Sequence, residues 1–269
     1  LMKKYCTLNN IKWIQCGKIV VAKNKSEEIK LSELYERGLR NDLKDLEIIS
    51  SREVANIEPY IKAYKAIRVP EESVVNYKEV ANSFLREILS NGGSIKYNSK
   101  VVGMKSYTNN TKRLKLSSGE FIEADIIIAA SGLYSDKVSE LLKFNIDNQR
   151  IIPFRGEYYK FKSEFNYLVK NLVYPLPDKK FPFLGSHLTK MINGTLEAGP
   201  NAVLALAREG YDWGVFDLKE FADAINFSGL RNFVFKYPKT TFYEVARSFS
   251  KKLFVSNLKN MLPDIGEFM

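Results

Sequence analysis

The sequence predicts a mixed α/β protein in which α/β segments lead into an antiparallel sheet and a helical end. Three observations carry this. The run "DIIIAASG" at 125–132 has the continuous apolar pattern of a strand buried on both faces, ends in Ser131 and Gly132, and enters the helical spacing of "SDKVSELL". After Pro153 the texture changes to Tyr, Phe, Pro and Gly over short stretches, which fits strands and tight turns rather than βα units. Residues 217–238 and 240–262 then return to helical periodicity, with Leu218, Phe221, Ala222 and Ile225 on one face.

The earlier elements follow in order. "IKWIQCGKIVVA" at 11–22 reads as two short strands around a turn or bulge at Gly17. In "NKSEEIKLSELYERGLRN", Ile29, Leu31, Leu34, Tyr35 and Leu39 recur at helical spacing, with Ser26 as the expected N-cap. "LEIISSREVANIEP" predicts a strand, a capped helical turn and a stop before Pro59. Asn76 and Glu79 have capping-box spacing ahead of a helix whose apolar face is Val80, Phe84, Leu85, Ile88 and Leu89, closed by Gly92 and Gly93. "SIKYNSKVVGMKS" and "RLKLSSGEF" predict two strands joined by a polar turn around "YTNNTK", and Ser135 is the expected cap of the helix after Gly132.

Composition narrows the chemistry. A chain of 269 residues that is 45% hydrophobic can bury a sizeable core. No apolar run reaches the roughly eighteen residues of a membrane helix. Cys6 and Cys16 have no partner-histidine spacing, which excludes a structural zinc site and fits free thiols in a reducing cytoplasm. The net charge of +10 comes from scattered lysines, without an aromatic, zinc-finger or basic-helix motif, so no nucleic-acid partner is expected. Neither G-x-G-x-x-G nor a P-loop occurs, and one histidine without a nucleophile elbow leaves hydrolase chemistry little to stand on.

Four places can carry chemistry, each beside a plainer alternative. The strand–Gly–helix junction at Ser131 and Gly132 can bring backbone amides to a phosphate, or serve packing alone. Arg155 in "PFRGEYY" can clamp a carboxylate with a two-point fork, or pair with Glu157 or solvent on an edge strand. His187 is the single histidine, in "FPFLGSHLTKMINGTLEAGPNA"; it is a base, a substrate ligand or a core residue with one satisfied hydrogen bond. Tyr174 in "VYPLP" is an aimed phenol or a packed aromatic.

Taken together, "PFRGEYYKF", "LVYPLPDKKFPFLGSHLTKMINGTLEAGPNAVLALAREGY", "CGKIVVA" and "VPEESVVNYKEVA" closely resemble the FAD-dependent L-2-hydroxyglutarate oxidase/dehydrogenase family, within the group that includes D-amino-acid and glycine oxidases. The resemblance runs from about residue 5 to about 262. It implies oxidation of L-2-hydroxyglutarate, a small dicarboxylate 2-hydroxy acid, to 2-oxoglutarate on FAD. Electrons would pass to quinone or oxygen, from the cytoplasm or from the inner face of the membrane as a peripheral protein. The fold implied is a partial FAD-binding Rossmann-like domain interleaved with an antiparallel-sheet substrate domain. Residues 1–66 and 151–245 would belong to the substrate part, 67–150 to the FAD part, and 246–269 would begin the return to the FAD domain.

Residue by residue, the resemblance implies that Val101 meets the adenine side of FAD and that Ala130, Ser131 and Gly132 pass its pyrophosphate. Arg155 would neutralise a carboxylate, Tyr158, Tyr174 and Thr189 would hold substrate, and His187 would accept the hydroxyl proton or orient the substrate. No metal is implied. Set against the family pattern, the chain opens after the glycine-rich FAD loop and a histidine-bearing segment, and ends at "NMLPDIGEFM" before the closing stretch. The expectation is therefore a truncated chain that needs a complementing fragment for catalysis, or a non-catalytic remnant, with exposed sheet edges favouring association.

Overall fold

The computed structural model describes residues 1–106, 111–147, 149–177 and 185–267. The first elements are α1 (Met2–Leu8), β1 (Trp13–Ile14), β2 (Lys18–Ala22), α2 (Glu28–Arg40), β3 (Glu47–Ser50), α3 (Ser51–Ile57), β4 (Lys65–Val69), β5 (Val74–Val75) and α4 (Tyr77–Ser90). Next come β6 (Val101–Ser106), β7 (Lys112–Leu116), β8 (Phe121–Ala124) and α5 (Ser135–Leu141). They are followed by β9 (Phe154–Lys160), β10 (Leu172–Pro175), β11 (His187–Lys190), β12 (Leu196–Leu204), α6 (Leu218–Asn226), α7 (Ser228–Lys236), α8 (Pro238–Phe249) and α9 (Lys251–Leu258). The mixed α/β architecture read from the sequence is present. The polar turn expected around "YTNNTK" falls largely on 107–110, outside the described residues, as do 178–184 of the "PLPDKKFPFLG" stretch.

The chain divides into two compact units: Leu1–Ser83, Phe154–Val203 and Arg231–Met269 form the first, Phe84–Pro153 and Leu204–Leu230 the second. The first unit is built on a seven-stranded sheet of order β3-β4-β2-β10-β11-β12-β9. Strands β2 and β10 run parallel, whereas β3–β4, β4–β2, β10–β11 and β11–β12 are antiparallel.

Alternation along each strand gives this sheet two faces. On one, Ile19, Val21, Ala66, Val173 and Leu188 are buried under Phe254 and Leu258 of α9. On the other, Val20, Ala22, Ile67 and Val69 pack against Leu31 of α2, with Tyr174 at the edge of the cluster. Each large aliphatic side chain so buried is worth about 1.5–3 kcal/mol, which places most of the stability of this unit in the sheet and its two helical covers. The sheet ends where turn chemistry says it should. Gly17 takes φ +75° between β1 and β2, and Ser50 with Glu53 forms a capping box that converts β3 into α3.

In the second unit, β6, β7 and β8 form a three-stranded antiparallel sheet. A buried ion pair ties 204–230 to the rest. Arg208 donates from Nη1 and Nη2 to the two Asp136 oxygens at 2.8 and 2.6 Å and also to the Leu133 carbonyl. Burial alone would raise the Asp136 pKa. Arg208 and the Ile151 and Lys137 amides outweigh it and hold the carboxyl below its ordinary value.

Several expectations are corrected. Residues 126–130 are not a strand: Ile126 is 80% and Ile128 87% exposed, and among the described residues no strand pairs with them. A two-sided buried strand exists only through neighbours that take its backbone hydrogen bonds, and without them the run is irregular and mostly exposed. The face read on α4 buries Val80 but leaves Phe84, Ile88 and Leu89 about half exposed. Helix caps also shift by a residue or two. Asn24 rather than Ser26 accepts the first amide before α2, through a 3-10 turn at Lys25–Glu27. Ser135 is the first residue of α5, its hydroxyl donating back to the Gly132 carbonyl across a 3-10 turn at Gly132–Tyr134.

Candidate functional site

The part of the α2-side face that carries Tyr174 is assembled by strand register. Val173 pairs with Leu188 and Leu172 with Thr189, so the next position up β10, Tyr174, comes opposite His187. Period-two alternation sends Val173 and Leu188 into the core and leaves Tyr174, His187 and Thr189 on the other face. The Tyr174 and His187 rings stack at 3.9 Å between centroids and 9° between planes. Thr189 and the Tyr174 phenol share a hydrogen bond. Tyr158, from β9, meets the imidazole edge-on at 6.4 Å and 69°.

Gly199 makes this approach possible. It sits opposite His187 in the β11–β12 register. A Cβ there would lie 2.6 Å from Tyr158 Cδ1 and 2.8 Å from the Glu157 carbonyl oxygen, so only glycine lets β9 and β12 carry Tyr158 to the imidazole.

Electrostatics give the histidine a defined state. His187 is 6% exposed, and its Nδ1 lies 3.3 Å from the Gly185 carbonyl. A carbonyl only accepts, so Nδ1 carries the proton of the neutral ring and Nε2 keeps its lone pair. Burial lowers the His187 pKa, the Gly185 carbonyl works against that, and the Lys18 charge adds to the lowering. At neutral pH the residue is a neutral base. Burial likewise raises the phenol pKa of Tyr158 and of Tyr174, so both remain hydrogen-bond donors.

Lys18 is a member of this face that no sequence motif had assigned a role. Its Nζ lies 5.1 Å over the Tyr174 ring and pairs with Glu72 at 2.6 Å. The signal was present in "CGKIVVA", where one lysine heads an otherwise apolar strand, but its neighbour in space is 156 residues away across the parallel β2–β10 pair. A cavity of about 330 Å³ opens beside Tyr174. Lys18, Glu72, Arg37 and Asn41 supply its polar lining and Val20, Ile67 and Val69 part of its apolar floor, while His187 itself is not in the wall.

Arg155 stands apart from this group. It is buried at 8% exposure, its Nη2 and Nε donate to Glu157 Oε1 at 2.8 and 3.3 Å, and alternation along β9 places both on the face of Tyr159, away from Tyr158. The plainer alternative for this residue, pairing with Glu157, is the arrangement found.

The residues that the resemblance assigns to the cofactor lie in the second unit. Val101 and Ser131 line one groove of about 1120 Å³ together with Lys100 and Tyr134, whereas Ala130 and Gly132 are not in its wall. Five carboxylates and three lysines line this groove, a charge balance that suits a nucleoside better than a pyrophosphate. Cys6 and Cys16 are free thiols.

A family model described as FAD dependent oxidoreductase matches residues 1–267. The chain is 43% identical over 264 residues to an L-2-hydroxyglutarate dehydrogenase of Indibacter alkaliphilus, covering 98% of this chain and 66% of that protein. It is 39% identical over 275 residues to the mitochondrial L-2-hydroxyglutarate dehydrogenase of Mus musculus, covering 98% and 59%. The chain thus spans about three fifths to two thirds of the length of these curated relatives. Among solved structures, glycine oxidase from Geobacillus kaustophilus superposes with a TM-score of 0.67 at 15% identity over 99% of this chain and 61% of that one. L-proline dehydrogenase from P. horikoshii gives 0.65 at 17% identity over 97% and 61%. At those identities the structures establish the fold.

Proposed function

The chain belongs to the FAD-dependent oxidoreductase family, and on that footing we propose that its large sheet is the substrate-binding face of an enzyme oxidising L-2-hydroxyglutarate to 2-oxoglutarate. The observation that carries the reading is the neutral, buried His187 stacked on Tyr174, with Tyr158 and Thr189 beside it. His187 Nε2 takes the proton of the substrate 2-hydroxyl as hydride leaves C2. The stack on Tyr174 then stabilises the imidazolium through the negative face of the phenol ring. Tyr158, kept protonated, donates to a substrate oxygen. Lys18, Arg37 and Glu72 line the cavity beside Tyr174; Arg37 would meet one carboxylate of the substrate, and Lys18 would meet the other by exchanging it for Glu72. Arg155, on the opposite face of β9 from Tyr158, is left out of this role.

FAD, when bound, would supply the acceptor for the hydride. Val101 would meet its adenine side and Ser131, in the wall of the same groove, its pyrophosphate; no G-x-G-x-x-G occurs in the sequence.

The experiment is to purify the protein, record its flavin absorbance, and assay L- and D-2-hydroxyglutarate with a dye acceptor. Turnover of the L-form that falls by about 10²-fold or more in His187→Gln supports the reading. Turnover of the D-form alone overturns the stereochemistry, and unchanged turnover in His187→Gln overturns the base. A second reading rests on the exposed apolar run at 126–130, which suits a chain that acts with another polypeptide covering it. It is distinguished by flavin binding that requires the added fragment.

A further inference from the structure

Behind the aromatic face, on the opposite side of the same sheet, lies a polar network that the proposed chemistry does not use. Arg247 of α8 is 3% exposed. Its Nη1 donates to Glu244 Oε1 at 2.8 Å and its Nη2 to the Ser186 hydroxyl, which itself donates to the Pro200 carbonyl at 3.0 Å. Glu244 also accepts the Ala202 amide at 2.9 Å and, through its carbonyl, the Asn201 side-chain amide at 2.8 Å. Ser248, one residue after Arg247, donates to Glu157, which is also held by Arg155 and Asn201. The charges balance: two guanidiniums and two carboxylates.

As a stabilising device this network is poor. Buried ion pairs barely offset their own desolvation, and here Arg247 Nε and Asn201 Oδ1 are buried with no hydrogen-bond partner among the described residues. What it does accomplish is geometric. Ser186 immediately precedes His187, and Glu157 immediately precedes Tyr158; in each pair the first residue faces α8 and the second faces the aromatic site. One short helical stretch therefore grips both strands at the residue next to each ring.

We infer that Arg247 is a positioning residue for the proposed site: by pinning Ser186 on one face of the sheet, together with Ser248 on Glu157, it sets the placement of His187 and Tyr158 on the other. This rests on the reading of His187 as a site residue, but its test does not depend on flavin or turnover. The protein has one histidine, so a histidine-labelled sample gives one set of imidazole signals. At pH 8, where the ring is neutral, stacking on Tyr174 displaces its carbon-bound protons upfield of free histidine. In Arg247→Met that displacement falls to less than half, and in Arg247→Lys, which can still donate to Ser186 or Glu244, it is partly restored. Ser186→Ala, which removes the contact without adding a buried group, shifts the signals in the same direction as Arg247→Met. A folded Arg247→Met with unchanged His187 signals overturns the inference. If that variant does not fold, unchanged signals in Ser186→Ala overturn it equally. A shifted His187 together with wild-type turnover in His187→Gln would uphold the positioning role while removing the catalytic reading.

Discussion

Tyr174 and His187 lie ring over ring, 3.9 Å between centroids and 9° from parallel, brought together by adjacent antiparallel strands whose intervening residues point into the core. A one-residue slip of β11 would exchange the faces of Leu188 and His187, placing the imidazole in the apolar core and breaking the stack.

The state of His187 follows from its burial. Its titration midpoint, read from the single imidazole signal, lies below the ordinary value of about 6.5. The sign for stability is definite. The unfolded chain takes up the proton more readily than the folded one, so this residue costs stability as pH falls below roughly 6.5 and costs none above it. Urea midpoints measured from pH 8 down to pH 5 should decline, and less steeply in His187→Gln. A decline of the same slope in both proteins would contradict the burial argument.

Gly199→Ala tests the close approach of β9 and β12. The added methyl meets Tyr158 and the Glu157 carbonyl inside 3 Å, so the strands must part. Overpacking of this kind costs about 1–3 kcal/mol. The expected outcome is a lowered urea midpoint with an unchanged slope, together with a loss of the edge-on Tyr158 contact visible in the His187 signal.

Glu58 anchors the entry to β10. It is fully buried and accepts the Lys170 amide and the Asn171 amide and side chain at 2.7–3.1 Å. Burial raises its pKa despite those donors. Glu58→Ala leaves three donors without an acceptor, at about 1–3 kcal/mol each in the limit where none finds water. Calorimetry should show the melting temperature falling by several degrees. A wild-type melting temperature would mean that the segment leading to Tyr174 does not depend on this carboxylate.

In the second unit, Arg208→Ala strands the buried Asp136 carboxylate. Breaking such a pair costs about 3–5 kcal/mol. Because the folded Asp136 pKa is lowered, the pair contributes fully above the ordinary carboxylate value of about 3.9 and is lost as pH falls below it. Hydrogen exchange of 204–230 should therefore accelerate in Arg208→Ala at pH 7, with the difference from wild type narrowing in acid.

Much of this was legible in local signals. The turn at Gly17 and the strand with its capped helical turn before Pro59 are properties of a few adjacent residues. What was hidden depends on partners distant in the chain. Lys18 joins the site only because β2 runs beside β10. Arg155 is withdrawn from it because β9 turns its odd-numbered residues toward α8, and nothing in "PFRGEYY" specifies which face lies toward the helix. The run at 126–130 has the composition of a central strand, but a strand is made by its neighbours.

Titrating the histidine-labelled protein with L-2-hydroxyglutarate, and following the one imidazole signal, shows whether the His187 face receives that acid. The expected outcome is saturable displacement by L-2-hydroxyglutarate, weakened at least tenfold in Lys18→Met and absent with a monocarboxylate 2-hydroxy acid at the same concentration. An imidazole signal unmoved at millimolar L-2-hydroxyglutarate, in protein shown to be folded, would contradict it.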